Sequence, residues 1–403
     1  MTRPRGGILL AIALLAFVSL GLPDGVLGVA WPSIRRSFDL PLSALGALLT
    51  AAMAGYLVSS FGSGWIVGRI GVGRLLVWSS VLMVANSAGY ALAPSWMGMV
   101  AWGVLAGLGA GAIDAGINAF AAARFPPRLM NWLHACYGIG AMLGPLLMTG
   151  VLTRGLSWRA GYGIIGALLA AMAMAFFLTQ RYWDAAPPAA GSERPADTAP
   201  AAGLVETLRR PRVWLNLGVF FVYTGIEVVA GQWTYSLFVE SRGETAEAAG
   251  VWVSGYWASL TLGRLVFGAL AERWSAVTLL RIGTLGAPIA ALAIWLAPRW
   301  GLDHAGLLLL GGALAPIYPL LIAGTSDRLG VRFATHAIGF QVAAAYLGTA
   351  FLPGATGVLA RRHGLEVIGP VLLGASLILL ALHETALRRG KRARYRGAAP
   401  ARA

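Results

Sequence analysis

Apolar residues occur along the chain in runs of about 20, long enough to cross a bilayer core about 30 Å thick. Short polar stretches separate the runs, and proline or glycine marks many of the boundaries, as at Pro41, Pro94, Pro211 and Gly243. This pattern predicts twelve membrane-spanning helices. Their predicted ranges are 7–33, 42–67, 74–93, 96–122, 132–153, 159–181, 212–238, 248–270, 276–297, 304–325, 333–359 and 365–386.

A polar, proline-rich stretch divides the predicted helices into two sets of six. It contains DAAPPAAGSERPADTAP, which is too polar to span a membrane. We therefore expect a flexible linker over residues 184–211, between a first six-helix bundle over 1–183 and a second over 212–387. A basic tail is expected to follow over residues 388–403.

The two sets of helices repeat each other in sequence. LAPSW at Leu92–Trp96 aligns with LAPRW at Leu296–Trp300, and at the same offset Arg69 aligns with Arg273. An offset held constant over two long apolar segments indicates parallel repeats. The predicted fold class is an all-α integral membrane protein whose 12 transmembrane helices form two parallel six-helix repeats.

Composition and charge indicate the membrane and the orientation. Hydrophobic residues make up 58% of the chain and charged residues 12%, and the net charge is +15. Most basic residues fall on the side that an even number of spans assigns to both termini, so the positive-inside rule predicts that both termini are cytoplasmic. We expect a multi-pass protein of the cytoplasmic (inner) membrane, surrounded by the lipid bilayer, whose charge requires no nucleic-acid partner.

Two parallel six-helix repeats joined by a linker resemble the major facilitator superfamily. GWIVGRIGVGR at Gly64–Arg74 is similar to a loop signature of that superfamily, with Gly68 in place of its aspartate, and GALAER is the copy in the second half. The resemblance implies a monomeric secondary transporter that binds its solute between the two halves. It also implies gating roles for Arg69, Arg273 and Glu272.

A closer resemblance is to the fucose permease branch of proton-coupled sugar symporters. PDGVLGVAW at Pro23–Trp31 is similar to the first helix of that branch, and NWLHACYGIGA at Asn131–Ala141 is similar to the fifth. In the fourth helix of the branch an acid precedes an asparagine by four residues, as Asp114 precedes Asn118 here. The resemblance implies symport of protons with a small polar solute, specifically a sugar.

Three of the 16 acidic residues lie well inside predicted spans: Asp24, Asp114 and Glu227. A charged aspartate at a helix centre costs at least about 2.5 to 3.5 kcal/mol, so such residues face a cavity or a partner. An apolar environment favours the protonated carboxyl group, and water or a polar solute favours the carboxylate. We predict that all three couple transport to protons, although a purely structural hydrogen bond remains the alternative for each.

Solute contacts are predicted for Asp24 and Glu227 and for several neutral side chains. The amides and aromatic rings among them suit the hydroxyl groups and ring faces of a sugar, although tryptophan and tyrosine are also common at membrane interfaces. Arg264 is expected either to snorkel or to pair with a carboxylate. The neutral residues predicted to contact solute are Asn118, Gln232, Trp233, Gln341 and Tyr346.

One motif supports a different mode of transport. GAMLGP at Gly140–Pro145 matches the core of an antiporter signature, but Met148 and Thr149 replace its trailing glycine pair. A proton-coupled drug or metabolite efflux antiporter is therefore the alternative. The sequence contains no H-E-x-x-H, G-x-S-x-G or Walker motif and no metal-spaced Cys/His cluster, so we predict neither an enzyme nor a cofactor or metal.

Overall fold

A computed structural model describes residues 3–124, 127–185, 202–296 and 301–398. Within these ranges the chain is almost entirely helical and contains no strand. Most of the stretch that the sequence predicts as a flexible linker, residues 186–201, lies outside the described residues.

The first half is built from five long helices. One of them, α2, supplies two membrane crossings because it bends at Gly71, whose φ of 82° and ψ of 165° suit a residue without a side chain. The helices are α1 (Arg3–Ser37), α2 (Leu45–Leu92), α3 (Trp96–Arg124), α4 (Pro127–Thr153) and α5 (Trp158–Ala185).

The second half begins with one short helix on the linker side. Its helices are α6 (Leu204–Leu208), α7 (Pro211–Ser236), α8 (Ala246–Leu270), α9 (Ala276–Leu296), α10 (Leu302–Leu314), α11 (Ile317–Ala323), α12 (Thr325–Leu329), α13 (Val331–His363) and α14 (Ile368–Ala398). A π-helical turn, Leu237–Ser241, continues α7. Helices α10 and α11 together make one crossing, Leu302–Ala323.

Eleven helical segments of the described chain are long and apolar enough to cross a membrane. Helix α8 has 25 residues, or about 37 Å, and packs against α4 and α10, so it completes the twelve crossings. The predicted fold class is confirmed. Twelve crossings leave both ends of the chain on one side, called here the terminal side, and the other side is called the distal side.

Small residues set the distances between helices within each half. A Cβ atom on Gly107 of α3 would lie 1.8 Å from the carbonyl oxygen of Ala52 in α2. A Cβ atom on Gly140 of α4 would lie 2.0 Å from the carbonyl oxygen of Val18 in α1. These backbones are therefore in direct contact, and a larger side chain at either glycine would separate the helices.

The two halves also make close backbone contact, and these contacts lie from the midplane to the distal side. A Cβ atom on Gly28 of α1 would lie 2.6 Å from the carbonyl oxygen of Gly231 in α7. A Cβ atom on Gly46, at the distal start of α2, would lie 2.9 Å from the Cα atom of Gly354 in α13. The interface between the halves is thus closed toward the distal side.

An ion pair joins the halves at the same end. The Nη2 atom of Arg35, near the end of α1, donates to both carboxylate oxygens of Glu240 in the π-helical turn, at 3.0 and 2.8 Å. The side chains are 26% and 23% exposed, so water only partly screens the pair.

We expect Gly28→Leu to open the distal side, because the added side chain would collide with the backbone at Gly231. The measurement is labelling of Ser43→Cys by a membrane-impermeant maleimide from the distal side, in a Cys136→Ser background. Labelling should become several-fold faster than in the parent. Gly163→Leu is the matched control, since no heavy atom lies within 4 Å of a Cβ atom there. Equal labelling rates in the parent and in both variants would contradict the close contact.

Candidate functional site

The first carboxyl group of the site is Asp24, at the centre of α1. The hydroxyl group of Tyr137 in α4 donates to Asp24 Oδ2 at 2.5 Å. Gln232 of α7, in the other half, donates from Nε2 to the backbone carbonyl oxygen of Asp24 at 3.0 Å. Although Asp24 lies in mid-helix, its side chain is exposed. Its side chain contacts α4 of the same half and its backbone contacts α7 of the other half, so Asp24 lies beside the contact between the halves and faces the space next to it.

The second carboxyl group is Asp114 of α3. The hydroxyl group of Tyr56 in α2 donates to Asp114 Oδ2 at 2.5 Å, and Asn118 Nδ2 donates to Oδ1 at 2.8 Å. The spacing of four residues thus places Asn118 one turn from Asp114 on the same helix face, within hydrogen-bond distance. Both side chains are partly buried.

A glycine three residues before each aspartate brings the tyrosine within reach. A Cβ atom on Gly21 would lie 2.0 Å from the carbonyl oxygen of Tyr137, and one on Gly111 would lie 2.7 Å from the carbonyl oxygen of Tyr56. In both places the glycine packs directly on the backbone of the residue that donates to the aspartate. The spacing of glycine and aspartate thus sets the geometry of the hydrogen bond.

The third carboxyl group, Glu227 of α7, lies in the second half. It accepts a hydrogen bond from the hydroxyl group of Tyr223, one turn earlier on the same helix. Arg264 of α8 places Nη2 3.7 Å from Glu227 Oε2, and the Tyr256 hydroxyl group donates to the Glu227 carbonyl oxygen at 2.9 Å. Of the two expectations for Arg264, the structure shows pairing with a carboxylate rather than snorkelling.

A pair of stacked rings connects the second carboxyl group to the other half of the protein. The ring of Tyr56 lies 3.5 Å from the ring of Tyr346 in α13, centroid to centroid, at an interplanar angle of 26°. Tyr56 therefore contacts Asp114 through its hydroxyl group and the second half through its ring. The hydrogen bond to Asp114 and this contact between the halves therefore share one side chain.

Not every polar atom around these carboxyl groups has a hydrogen-bond partner in the described part of the chain. Asn118 Oδ1, Gln232 Oε1 and Arg264 Nε are buried and have no hydrogen-bond partner among the described residues. A buried polar atom without a partner costs about 1 to 3 kcal/mol, which a bound solute that supplies donors and acceptors would recover. The site thus places three carboxyl groups beside buried polar atoms that have no partner among the described residues.

Two of the residues predicted to contact solute are buried in the protein interior in this conformation. Trp233 is fully buried and donates from Nε1 to the carbonyl oxygen of Pro353 at 3.0 Å. Gln341 is also fully buried, and its Oε1 accepts from the Thr325 hydroxyl group at 3.0 Å. Neither side chain is exposed to the space that Asp24 faces, so direct contact with solute would require another conformation.

The three residues predicted to gate the transporter lie away from the carboxyl groups, on the terminal side. Arg69 is exposed beside the bend of α2, and its guanidinium group lies 3.8 Å from the centroid of the Trp65 ring. Glu272 and Arg273 are exposed in the turn between α8 and α9. In the described part of the chain, none of the three forms an ion pair.

Sequence reasoning missed the tyrosine donors Tyr56, Tyr137 and Tyr223. The spacing of Tyr223 and Glu227, four residues apart on one helix, was a signal that could have identified that pair. The partners of Asp24 and Asp114 come from other helices, so no local pattern indicated them.

One group of side chains on the distal side has the composition of a metal site. Ligand atoms of Glu244, Asp303 and His304 lie within 4.8 Å of one another. Existing contacts account for most of these atoms, because Arg242 pairs with Asp303 at 2.7 Å and His304 Nε2 lies 2.7 Å from Glu244 Oε1. Glu244 Oε2 is buried without a partner among the described residues. Because the Arg242 charge already neutralises Asp303, this group is better explained as an ionic network that joins helix ends than as a cation site.

Comparisons with known proteins agree with this architecture. The family model described as Major Facilitator Superfamily matches residues 12–353. A relative from Saccharomyces cerevisiae, Bypass of stop codon protein 6, is 23% identical over 414 residues, which cover 95% of this chain and 83% of the relative.

Two solved structures illustrate the shared fold. A bacterial homolog of the human lysosomal transporter Spinster, in an inward-facing and occupied conformation, matches with a TM-score of 0.73 and 16% identity over 97% of this chain and 96% of that one. A variant of the Escherichia coli fucose:proton symporter FucP matches with a TM-score of 0.63 and 16% identity over 94% and 98%.

We expect Glu227 and Arg264 to depend on each other for stability. Glu227→Gln leaves the Arg264 guanidinium group without its carboxylate, and Arg264→Gln leaves the Glu227 carboxylate without its guanidinium group. Each single variant should therefore lower the free energy of unfolding by about 1 to 3 kcal/mol. The double variant should lose less than the sum. A double-mutant cycle of unfolding in detergent measures this coupling.

The same cycle on Arg281 and Glu384, an ion pair 2.7 Å apart with Arg281 44% exposed, is the control. It should show much weaker coupling, because water screens an exposed pair. Additive losses at Glu227 and Arg264 would contradict the pairing.

Proposed function

Because the chain belongs to the major facilitator superfamily, we propose that it is a proton-coupled symporter that imports a small polar solute, namely a sugar, by alternating access. The observation that supports the proposal is that three membrane carboxyl groups, on α1, α3 and α7, each accept a hydrogen bond from a tyrosine near the contact between the halves. Such residues are costly inside a membrane and are typical of proton pathways.

In the proposed mechanism, protonation of Asp114 changes the contact between the halves. A neutral carboxyl group is a weaker acceptor than a carboxylate, so the bond from Tyr56 weakens when Asp114 takes up a proton. Since Tyr56 also stacks on Tyr346, the proton alters a contact that must break when the distal side opens. Asp24 and Glu227 are the other proposed proton-coupling residues.

The proposed solute site lies between the halves, with contacts from both. Asp24 and Asn118 contribute from the first half, and Glu227, Gln232 and Tyr346 from the second. Their carboxylate and amide groups can form hydrogen bonds with the hydroxyl groups of a sugar, which both donate and accept. The ring of Tyr346 offers an apolar face to the sugar ring. Trp233 and Gln341 are not included in this conformation, because both are fully buried and their hydrogen bonds go to Pro353 and Thr325 rather than to the site. Gln232 is also buried, but it contacts Asp24.

The distribution of basic residues supports a cytoplasmic location for the terminal side. On this assignment the distal contacts close the outer side, and the conformation faces the cytoplasm. The protein is then a transporter of the cytoplasmic membrane with both termini inside.

Uptake of a labelled sugar panel into proteoliposomes tests the proposal. We expect one sugar to accumulate when an inward proton gradient is imposed and only to equilibrate without it. Loss of preloaded solute under the same gradient, without uptake of any sugar, would instead support an antiporter.

In the same assay, Asp114→Asn should abolish accumulation but retain part of the solute exchange, because exchange need not release a proton. Asp39→Asn is the matched control. Asp39 lies outside the spans at a φ of 51°, a conformation that asparagine also adopts readily. Accumulation by Asp114→Asn at the parental level would remove Asp114 from the proton pathway.

The antiporter alternative rests on GAMLGP, Gly140–Pro145. A Cβ atom on Gly140 would lie 2.0 Å from the carbonyl oxygen of Val18, and one on Gly144 would lie 2.4 Å from that of Leu22. The motif therefore has a packing role between α1 and α4, which either mode of transport could use. It does not favour export over import.

We further propose that Arg69 and Arg273, with Glu272, stabilise the conformation that is open to the distal side. Neither arginine has an ion-pair partner in the described part of the present conformation, so a stabilising contact would form in the other one. Arg69→Gln and Arg273→Gln should slow distal labelling of Ser43→Cys. Arg181→Gln, which removes a charge on the same side, serves as the control. Unchanged labelling rates in both the Arg69 and the Arg273 variants would contradict this assignment.

A further inference from the structure

We propose that an anionic phospholipid binds in a groove on the terminal side, between α6, α7 and α14. The groove encloses about 360 Å³. Its lining combines two arginines with an apolar wall. The lining residues are Leu208, Arg209, Trp214, Leu215, Leu382 and Arg389, with Pro211 beside them.

The basic end of the groove has positive charge without a compensating carboxylate. Neither Arg209 nor Arg389 forms a salt bridge with any residue in the described ranges. Arg212 Nη2 donates to the carbonyl oxygen of Arg389 at 2.8 Å, which adds a third guanidinium group nearby. The acids on the wall helices already lie close to other arginines: Glu384 pairs with Arg281 at 2.7 Å, and Glu206 lies 3.9 Å from Arg332. An anion from outside the protein would complete this set of charges.

The other end of the groove is apolar and continues along the membrane surface of the protein. Leu215 and Leu382 form its wall, and Ile378, one turn before Leu382 on α14, is 54% exposed. The Trp214 side chain is 60% exposed, and its Nε1 atom donates to the carbonyl oxygen of Leu208 at 2.8 Å. An exposed tryptophan at a helix end is typical of the membrane interface.

This combination fits a lipid better than a free anion. Inorganic phosphate would satisfy the arginines but has no apolar part that could occupy the groove beside Leu215 and Leu382. A phospholipid places its phosphate at Arg209 and Arg389 and its acyl chains along α14, so both parts of the surface are covered.

The groove is also connected to the chain that joins the two halves. Helix α6 forms one of its walls, and the residue two positions before it, Ala202, donates its backbone N–H to the carbonyl oxygen of Arg332 in α13 at 2.9 Å. A lipid in the groove would therefore hold the end of the linker against the second half. This inference does not depend on the solute or on proton coupling.

Binding of phosphatidylglycerol and phosphatidylcholine to the purified full-length protein in detergent tests the proposal, with bound lipid counted by native mass spectrometry. We expect the parent to prefer phosphatidylglycerol. Arg209→Gln with Arg389→Gln should weaken its binding about tenfold, whereas Arg209→Lys with Arg389→Lys should keep most of it. Arg74→Gln with Arg181→Gln removes equal charge from the terminal side of the first half and should bind as the parent does.

Two further measurements distinguish lipid binding in the groove from a general effect of positive charge and from the binding of other anions. Leu215→Trp with Leu382→Trp fills the groove without changing its charge and should also reduce binding of phosphatidylglycerol. Inorganic phosphate should not displace the lipid. The proposal is overturned if phosphate does displace it, if the control pair loses as much binding as the glutamine pair, or if neither the glutamine pair nor the tryptophan pair loses binding.

Discussion

A carboxyl group that is removed from bulk water must keep either its proton or a hydrogen-bond donor, and most of this site follows from that constraint. Asp24, Asp114 and Glu227 each have a tyrosine hydroxyl group as donor. A hydrogen bond to a charged group contributes about 1.5 to 3 kcal/mol, enough to offset part of the cost of the charge without fixing it permanently. A tyrosine hydroxyl group can donate to a carboxylate and can also form a hydrogen bond with a neutral carboxyl group.

The close packing of the helices makes these hydrogen bonds possible. Gly21 and Gly111 each lie three residues before an aspartate and contact the backbone of the tyrosine that donates to it. A methyl group at either glycine would separate the two helices and lengthen the bond. The small residues of α1 and α3 are therefore part of the polar site, although they have no polar side chains. The same kind of contact, at Gly28 and Gly231, joins the two halves.

The sequence was sufficient to predict the helices, the repeat and the positions of the three carboxyl groups, because hydrophobic periodicity and isolated acids are local signals. The structure changes several boundaries. The second and third spans are one helix bent at Gly71, a short helix, Leu204–Leu208, lies inside the stretch predicted as linker, and the last helix continues to Ala398, into the stretch predicted as tail. The donors to Asp24 and Asp114 could not be predicted, since Tyr137 and Tyr56 reach them from other helices. The burial of Gln341 likewise depends on Thr325, whose helix packs against α13.

The central claim is that protons move together with the solute through the site that contains Asp114. The most direct test is to record the external pH when the transported sugar is added to unenergised cells that express the protein in weakly buffered medium. The account predicts that the medium becomes more alkaline as the sugar enters, and that Asp114→Asn allows no such change. Entry of the sugar without a pH change, or acidification of the medium, would contradict it.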